Sequence, residues 1–184
     1  MEKIGILWDL DGTIVNSVKL YFAPYACVFE KYGLGELDCT IDEYLRTSVD
    51  GGVSLIPGVD RVIDAFYAKG YPMAIASTSW MPTVVHTLER VGLLGKFANI
   101  ASGYLLPSKP APDIFRIAAE MINIPPESCV VFEDSLAGMK GAKSAGMKCV
   151  GIATSVPIGQ MTDADIRLNA YDDLRIEDVE LLFM

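Results

Sequence analysis

Acidic and hydroxyl side chains and one glycine stand directly after several short apolar segments of this sequence. The residues in these positions are Asp9, Asp11, Gly12, Ser77, Thr78, Glu133 and Asp134. Lys109 lies just before the helix-like segment that leads into the fourth apolar segment. Ligands of open α/β sheets bind outside the carboxyl ends of the strands. We therefore expect these side chains to meet at one edge of a sheet and to form a single site.

The acidic residues of this site predict a bound metal ion. Asp9, Asp11, Glu133 and Asp134 would converge at the same sheet edge. Like charges that close cannot all remain ionised without a cation. Hard oxygen ligands select Mg²⁺ or Ca²⁺, and a site with few carboxylates and room for water and phosphate oxygens suits Mg²⁺ better. We predict a Mg²⁺ site.

The spacing of Asp9 and Asp11 suits phosphoryl transfer. Alternate residues of an extended strand end face the same side, so both carboxylates can face one substrate. The first can attack phosphorus as a nucleophile, and the second can protonate the leaving oxygen and later take a proton from water. Gly12 permits a close turn that exposes backbone N–H groups to phosphate oxygens.

A hydroxyl and an amine complete the predicted phosphate site. Ser77 offers a hydrogen-bond donor, and Lys109 offers a fixed positive charge near the transferring group. Taken singly, Ser77 could be a helix N-cap and Lys109 a solvated surface lysine, but their occurrence together with the acidic residues favours phosphate binding. The predicted phosphate-binding residues are Gly12, Ser77, Thr78 and Lys109.

Short β-like segments alternate with helix-like segments along most of the chain, which predicts an α/β fold with a doubly wound parallel sheet covered by helices on both faces. The predicted strands are 4–8, 73–76, 99–101, 129–132, 148–152 and 166–168. The predicted helices are 18–32, 59–69, 82–91, 112–121 and 136–145. Gly33, Gly70, Gly92 and Gly146 follow four of these helices as C-terminal stops.

One connection is too long for a single crossover helix. Roughly 65 residues separate the first two strands, and they include a second short helical segment at 41–46 and a Gly51-Gly52 return. We interpret residues 17–52 as a small helical cap inserted into one α/β core. The core then comprises residues 1–16 and 53–184.

Composition narrows the class of protein. A net charge of −9 without a Lys/Arg cluster argues against nucleic-acid or acidic-membrane partners, because such surfaces require a basic patch. No apolar run approaches the roughly 20 residues of a membrane span, and the N-terminus lacks the features of a signal peptide. The four cysteines show no paired spacing. We expect a cytoplasmic monomer with reduced thiols and a small-molecule substrate.

Four motifs resemble those of the haloacid dehalogenase-like hydrolases, in the same order and over nearly the whole chain. The motifs are Asp9-Leu10-Asp11-Gly12-Thr13, Ser77, Lys109-Pro110-Ala111-Pro112 and Phe132-Glu133-Asp134-Ser135. The last two motifs are similar to the β-phosphoglucomutase and phosphoglycolate phosphatase branch.

This resemblance implies a role for each motif. It implies Asp9 as nucleophile and Asp11 as acid and base. It implies Ser77 and Lys109 as phosphate ligands. It further implies Mg²⁺ held by Asp9, the Asp11 carbonyl and Asp134, with Glu133 assisting, and a helical cap inserted after the first motif.

We weigh three functions, and hydrolysis of a small phosphomonoester is favoured. A true dehalogenase uses a lone Asp, whereas this chain has two. A phosphomutase is the second hypothesis, although Tyr21 stands near the position at which the mutase cap supplies a His, and the short cap would exclude water poorly. A non-catalytic phospho-acceptor or binding module is the third.

Overall fold

The structure, a computed structural model, describes residues 3–16 and 53–184. Its strands are β1 (Gly5–Trp8), β2 (Val15–Asn16), β3 (Ser54–Leu55), β4 (Met73–Ser77), β5 (Asn99–Ser102), β6 (Cys129–Glu133), β7 (Lys148–Ile152) and β8 (Ile166–Leu168). Its α-helices, numbered within the described residues, are α1 (Val59–Ala68), α2 (Met81–Arg90), α3 (Asp113–Met121), α4 (Leu136–Ser144) and α5 (Ile176–Glu180).

Six parallel strands form the central sheet, in the order β5-β4-β1-β6-β7-β8. The predicted parallel α/β fold is therefore confirmed. In the register of this sheet, Trp8 pairs with Ile75 on one side and with Phe132 on the other. Asp9 consequently emerges from β1 beside Glu133, the last residue of β6. The carboxyl ends of β1, β4 and β6 thus form one edge, as the polar residues after each strand predict.

Hydrophobic layers cover both faces of the sheet, because successive strand residues point to opposite sides. Trp8 belongs to one layer and Leu7 to the other. On the Trp8 side, its ring stacks on Phe132 with 4.1 Å between ring centroids. On the Leu7 side, α3 and α4 pack against the strands through residues such as Phe115 and Met139. Burial on both faces explains why the strands are continuous apolar segments.

Each predicted strand, and each predicted helix within the described residues, is present, with ends that agree to within one residue. The helix that ends at Ala68 and the one that ends at Ser144 are followed by Gly70 and Gly146 as predicted. Strands β4 and β6 extend one residue further than predicted, so Ser77 and Glu133 are strand residues rather than loop residues. The short helix α5 has no counterpart in the sequence interpretation.

A second, two-stranded antiparallel sheet was also not predicted. It pairs Val15 with Leu55 and Asn16 with Ser54. This pairing brings together the two points at which the chain leaves and re-enters the described core. The predicted cap at 17–52, with its helices at 18–32 and 41–46, lies outside the described residues, as do Gly33 and Tyr21. Within residues 3–16 and 53–184, none of the helices has the length and apolar character that crossing a membrane requires.

Candidate active site

A buried lysine joins two of the predicted acidic residues. Lys109 Nζ lies 2.5 Å from Asp9 Oδ1 and 2.5 Å from Glu133 Oε1. Its side chain is only 9% exposed, and its ammonium lies 5.0 Å from the centroid of the Phe115 ring. Burial disfavours the charged amine, but the carboxylates of Asp9 and Glu133 outweigh it and raise the pKa of Lys109 above its usual value. Lys109 is therefore a fixed cation inside the site and not a solvated surface lysine.

Three carboxylates form a compact, buried cluster around this lysine. Asp9, Glu133 and Asp134 each offer an oxygen, and these oxygens lie within 4.8 Å of one another. Burial raises the pKa of Asp9 well above its ordinary range, and the adjacent Lys109 acts in the opposite direction. Burial also raises the pKa of Asp134, while a hydrogen bond from Ser155 opposes the shift. One ammonium does not balance three carboxylates, so the cluster carries excess negative charge when ionised.

Glu133 is held on both of its oxygens. Oε1 accepts from Lys109, and Oε2 accepts from the backbone amides of Asp134 at 3.0 Å and Ser135 at 2.9 Å. The Ser135 hydroxyl donates to the same Oε2 and accepts from the Gly138 amide, which makes Ser135 the N-cap of α4. Because Glu133 is 1% exposed, these bonds fix its carboxylate rigidly. The arrangement is suited to orienting Lys109.

Hydroxyl groups from two other segments hold Asp134. The Thr13 hydroxyl lies 3.2 Å from Asp9 Oδ2 and 3.4 Å from Asp134 Oδ1, between the two aspartates. On the other side, the Ser155 hydroxyl donates to Asp134 Oδ2. The Thr154 hydroxyl oxygen lies 3.5 Å from the same carboxylate oxygen. The carboxylate of Asp134 is thus oriented from both sides by side chains distant in sequence.

Gly12 forms a close turn that packs against Asp134. Its amide donates to the Val15 carbonyl at 2.8 Å, so this N–H is already used within the chain. The backbone at Gly12 has φ +86°, and a Cβ there would collide with Asp134 Oδ2. Its carbonyl accepts from the Thr154 hydroxyl at 2.5 Å. Glycine is required here because the turn packs directly against the Asp134 carboxylate.

Asp11 is not one of the three clustered carboxylates, and it is less buried than they are. Its Oδ2 accepts from the Ser79 hydroxyl at 2.8 Å. Ser77 is 1% exposed, and its hydroxyl oxygen accepts from the Ser79 amide at 3.1 Å. Thr78, between these two serines, is exposed. The sheet edge therefore brings the predicted residues to one region, with Asp9, Lys109, Glu133 and Asp134 as its buried part.

Comparison with known proteins identifies the family. The sequence model described as haloacid dehalogenase-like hydrolase matches residues 36–152, more than half of the chain. This chain belongs to the haloacid dehalogenase-like hydrolases. Protein CbbY of Rhodobacter capsulatus is 33% identical to it, over 82% of this chain and 85% of the relative.

Relatives in Arabidopsis thaliana are longer than this haloacid dehalogenase-like chain. The chain spans 19% of Protein SUPPRESSOR OF QUENCHING 1 and 54% of the Bifunctional riboflavin kinase/FMN phosphatase, with 28% identity to each over 87% and 94% of its own length. Among solved structures, CbbY from Rhodobacter sphaeroides in complex with phosphate superposes with a TM-score of 0.80. It is 24% identical and matches over 94% of this chain and 96% of CbbY, which supports the shared fold.

The family motifs leave out several residues that hold this site together. They are Ser79, Ser102, Gly138, Thr154 and Ser155. Thr154 and Ser155 lie two and three residues after the end of β7. The rule that ligands bind beyond the carboxyl ends of the strands therefore also applies to them. No comparable local signal distinguishes Gly138, because its importance depends on the position of Glu133.

Proposed function

We propose that this protein is a Mg²⁺-dependent phosphatase that hydrolyses a small phosphomonoester, such as a sugar phosphate, through an aspartyl-phosphate on Asp9. The observation that carries the proposal is the Asp9 carboxylate at the end of β1, 2.5 Å from the buried Lys109 ammonium, with Asp11 two residues further along. The names of relatives support it, since one is a Bifunctional riboflavin kinase/FMN phosphatase and another, Hexitol phosphatase A of Escherichia coli, matches 96% of this chain at 21% identity.

In the first step, a carboxylate oxygen of Asp9 attacks phosphorus while the bond to the leaving alcohol breaks. Asp11, as the acid, gives its proton to the leaving oxygen. Lys109 orients Asp9 and offsets the charge of the transferring phosphoryl group. The hydroxyl of Ser77 and the exposed Thr78 are the proposed donors to the phosphate oxygens at the end of β4.

In the second step, Asp11 is a carboxylate and takes a proton from water. The resulting hydroxide attacks phosphorus, the bond to Asp9 breaks, and inorganic phosphate leaves. Both carboxylates then return to their starting states. Asp11 is suited to this exchange because it is less buried than Asp9.

The donor set fits a divalent metal ion. Three buried carboxylates with only one lysine among them leave negative charge that a hard cation would offset. We propose that Asp9, Asp134 and the Asp11 carbonyl hold Mg²⁺, with Glu133 assisting mainly through Lys109. When bound, Mg²⁺ would neutralise phosphate charge and align the ester for attack.

We also propose a domain division, a class of substrate, an oligomeric state and a location in the cell. The core would comprise 1–16 and 53–184, and the cap 17–52 would be inserted at the point where β2 pairs with β3. The net charge of −9 supports a small-molecule substrate and no nucleic-acid partner. We propose a monomeric, cytoplasmic enzyme.

Phosphate release tests the proposed function. The purified protein is incubated with sugar phosphates, phosphoglycolate, nucleotides and p-nitrophenyl phosphate, with Mg²⁺, with EDTA, and with Mg²⁺ restored. We expect Asp9→Asn to abolish release while its melting temperature shows an intact fold. The matched control is Asp163→Asn, an exposed Asp away from the site, which should keep full activity. Turnover by Asp9→Asn, or full activity in EDTA, would contradict the proposal.

The two alternative functions give different results in the same experiment. A phosphomutase would convert β-glucose 1-phosphate to glucose 6-phosphate without net phosphate release. A non-catalytic phospho-acceptor would label Asp9 once and release no phosphate in the steady state. Continuous release of one phosphate per ester consumed distinguishes the phosphatase from both.

A further inference from the structure

A chain of serine hydrogen bonds leads to Asp11. The Ser79 hydroxyl donates to Asp11 Oδ2 at 2.8 Å. The Ser79 amide donates to the Ser77 hydroxyl at 3.1 Å, and the Ser79 carbonyl accepts from the Ser102 hydroxyl at 2.8 Å. Ser79 is thus tied to the ends of β4 and β5 through its backbone and to Asp11 through its side chain.

This anchoring matters because none of the described residues forms an ion pair with Asp11 as Lys109 does with Asp9. A general acid must lie within hydrogen-bond reach of the oxygen that it protonates. A carboxyl group that rotates freely spends much of its time in other orientations. The bond from Ser79 occupies Oδ2 and leaves Oδ1 to carry the transferred proton.

The same bond keeps Asp11 oriented during the proton transfer. When Asp11 gives its proton to the leaving oxygen, it becomes a carboxylate, and the P–O bond breaks as the Asp9–phosphorus bond forms. Because the Ser79 hydroxyl donates to Oδ2, it holds the carboxyl group in one orientation while the proton leaves. Ser79 would therefore contribute most when the leaving group requires the proton.

We propose that Ser79 is the positioning residue for Asp11 in proton transfer to the leaving group, and that Ser102 holds Ser79 in place through the hydrogen bond to its carbonyl. This inference rests on the proposed phosphatase function. The other role open to Ser79 is a direct contact with the substrate phosphate, which would affect all phosphate esters alike. The dependence of rate on the leaving group separates the two roles.

The experiment compares an alkyl phosphate with p-nitrophenyl phosphate. Nitrophenolate departs without being protonated, whereas an alkoxide requires the acid. For Ser79→Ala we expect kcat/KM to fall roughly 10- to 100-fold with the alkyl ester and less than about threefold with p-nitrophenyl phosphate. Asp11→Asn should show the same pattern more strongly. Ser79→Thr, which keeps the hydroxyl, should recover most of the loss.

Two further variants complete the design. Ser102→Ala should show the same preference for the activated ester with a smaller loss, and it tests the proposal even if Ser79→Ala fails to fold. Ser128→Ala, at the residue that precedes β6 and at the opposite edge of the sheet, should leave both rates unchanged. Melting temperatures verify the fold of each variant.

The outcomes are distinct. An equal loss with both esters for Ser79→Ala would assign Ser79 to phosphate binding and overturn the proposal, as would unchanged rates with the alkyl ester. Absence of turnover in the unmodified protein, or turnover by Asp9→Asn, would instead overturn the phosphatase function itself. If the unmodified protein hydrolyses esters in an Asp9-dependent reaction and Ser79→Ala has no effect on the rates, only the positioning role is refuted.

Discussion

The substitution Gly138→Ala tests whether the Glu133 carboxylate is as rigidly held as the structure indicates. Gly138 lies in the first turn of α4, where alanine would ordinarily stabilise the helix by about 1 kcal/mol. A Cβ at this position would instead overlap the carboxyl carbon and both oxygens of Glu133. The Glu133 carboxylate has little freedom to move, since one oxygen accepts from Lys109 and the other accepts from the turn that follows β6.

The expected magnitude follows from these contacts. Overpacking of a tight site costs typically about 1–3 kcal/mol. Loss of a hydrogen bond to a charged group costs about 1.5–3 kcal/mol, and displacing Glu133 would break at least one. After the gain in helix propensity, we expect Gly138→Ala to lower the free energy of unfolding by about 2 kcal/mol. For a chain of this size, that corresponds to a decrease of roughly 4–8 °C in melting temperature.

A double-mutant cycle isolates the cause. Urea unfolding is measured for Gly138→Ala, Glu133→Ala and the double variant. When Glu133 is alanine, the obstacle is gone, so Gly138→Ala should become neutral or stabilising by up to about 1 kcal/mol. The control is Gly95→Ala, since a Cβ at this exposed position would meet nothing within 4 Å. A stabilising Gly138→Ala in the presence of Glu133 would refute the packing argument.

Three further outcomes are expected. Ser155→Ala should weaken Mg²⁺ binding by roughly tenfold, because Ser155 orients Asp134; titration calorimetry measures this directly, and an unchanged affinity would contradict it. Burial raises the pKa of the Cys129 thiol from 9.0 to about 12, so alkylation of this thiol at pH 8 should be about a thousandfold slower than that of a free thiol. Peptide-level mass spectrometry after treatment with iodoacetamide measures the alkylation rate. Labelling of the folded protein as fast as in urea would count against the prediction. The Tyr71 hydrogen bond lowers the pKa of Glu180 below 4.5, so the ionised Glu180 stabilises the fold above pH 4.5, and this contribution is lost as the pH falls through the lowered pKa. Glu180→Gln should therefore reduce the acid-induced fall in unfolding free energy below pH 5. Parallel curves of unfolding free energy against pH for the two proteins would argue against it.

Local patterns predicted the architecture well. Continuous apolar segments indicated parallel strands buried on both faces, and their ends identified the edge where polar residues gather. Asp9, Asp134 and Lys109 were predicted for one site, and their side chains do lie together. These inferences succeeded because strand and helix periodicity depend on residues a few positions apart. The roles of the site residues remain predictions until variants are assayed.

Details of the contacts were harder to predict. Gly12 was expected to permit a turn that exposes backbone N–H groups to phosphate oxygens, and the amide of Gly12 itself donates to the Val15 carbonyl. Lys109, taken by itself, has the sequence context of a surface lysine, yet it is among the least exposed charged side chains of the described residues. The partner of the Gly12 amide lies in the same turn, and the partners of Lys109 follow or end distant strands. The type of residue alone does not predict which of the available partners each group contacts.

The sequence by itself determined the fold class, the order of the elements and the edge of the sheet that carries the chemistry. Only the tertiary structure decided which groups touch: Lys109 with Asp9, Ser155 with Asp134, and Gly138 with Glu133. The first two of these pairs join segments that are distant in sequence, and the third depends on how Glu133 folds back over the start of α4. Such contacts depend on strand register and on close packing between elements. Neither leaves a periodic pattern in the sequence.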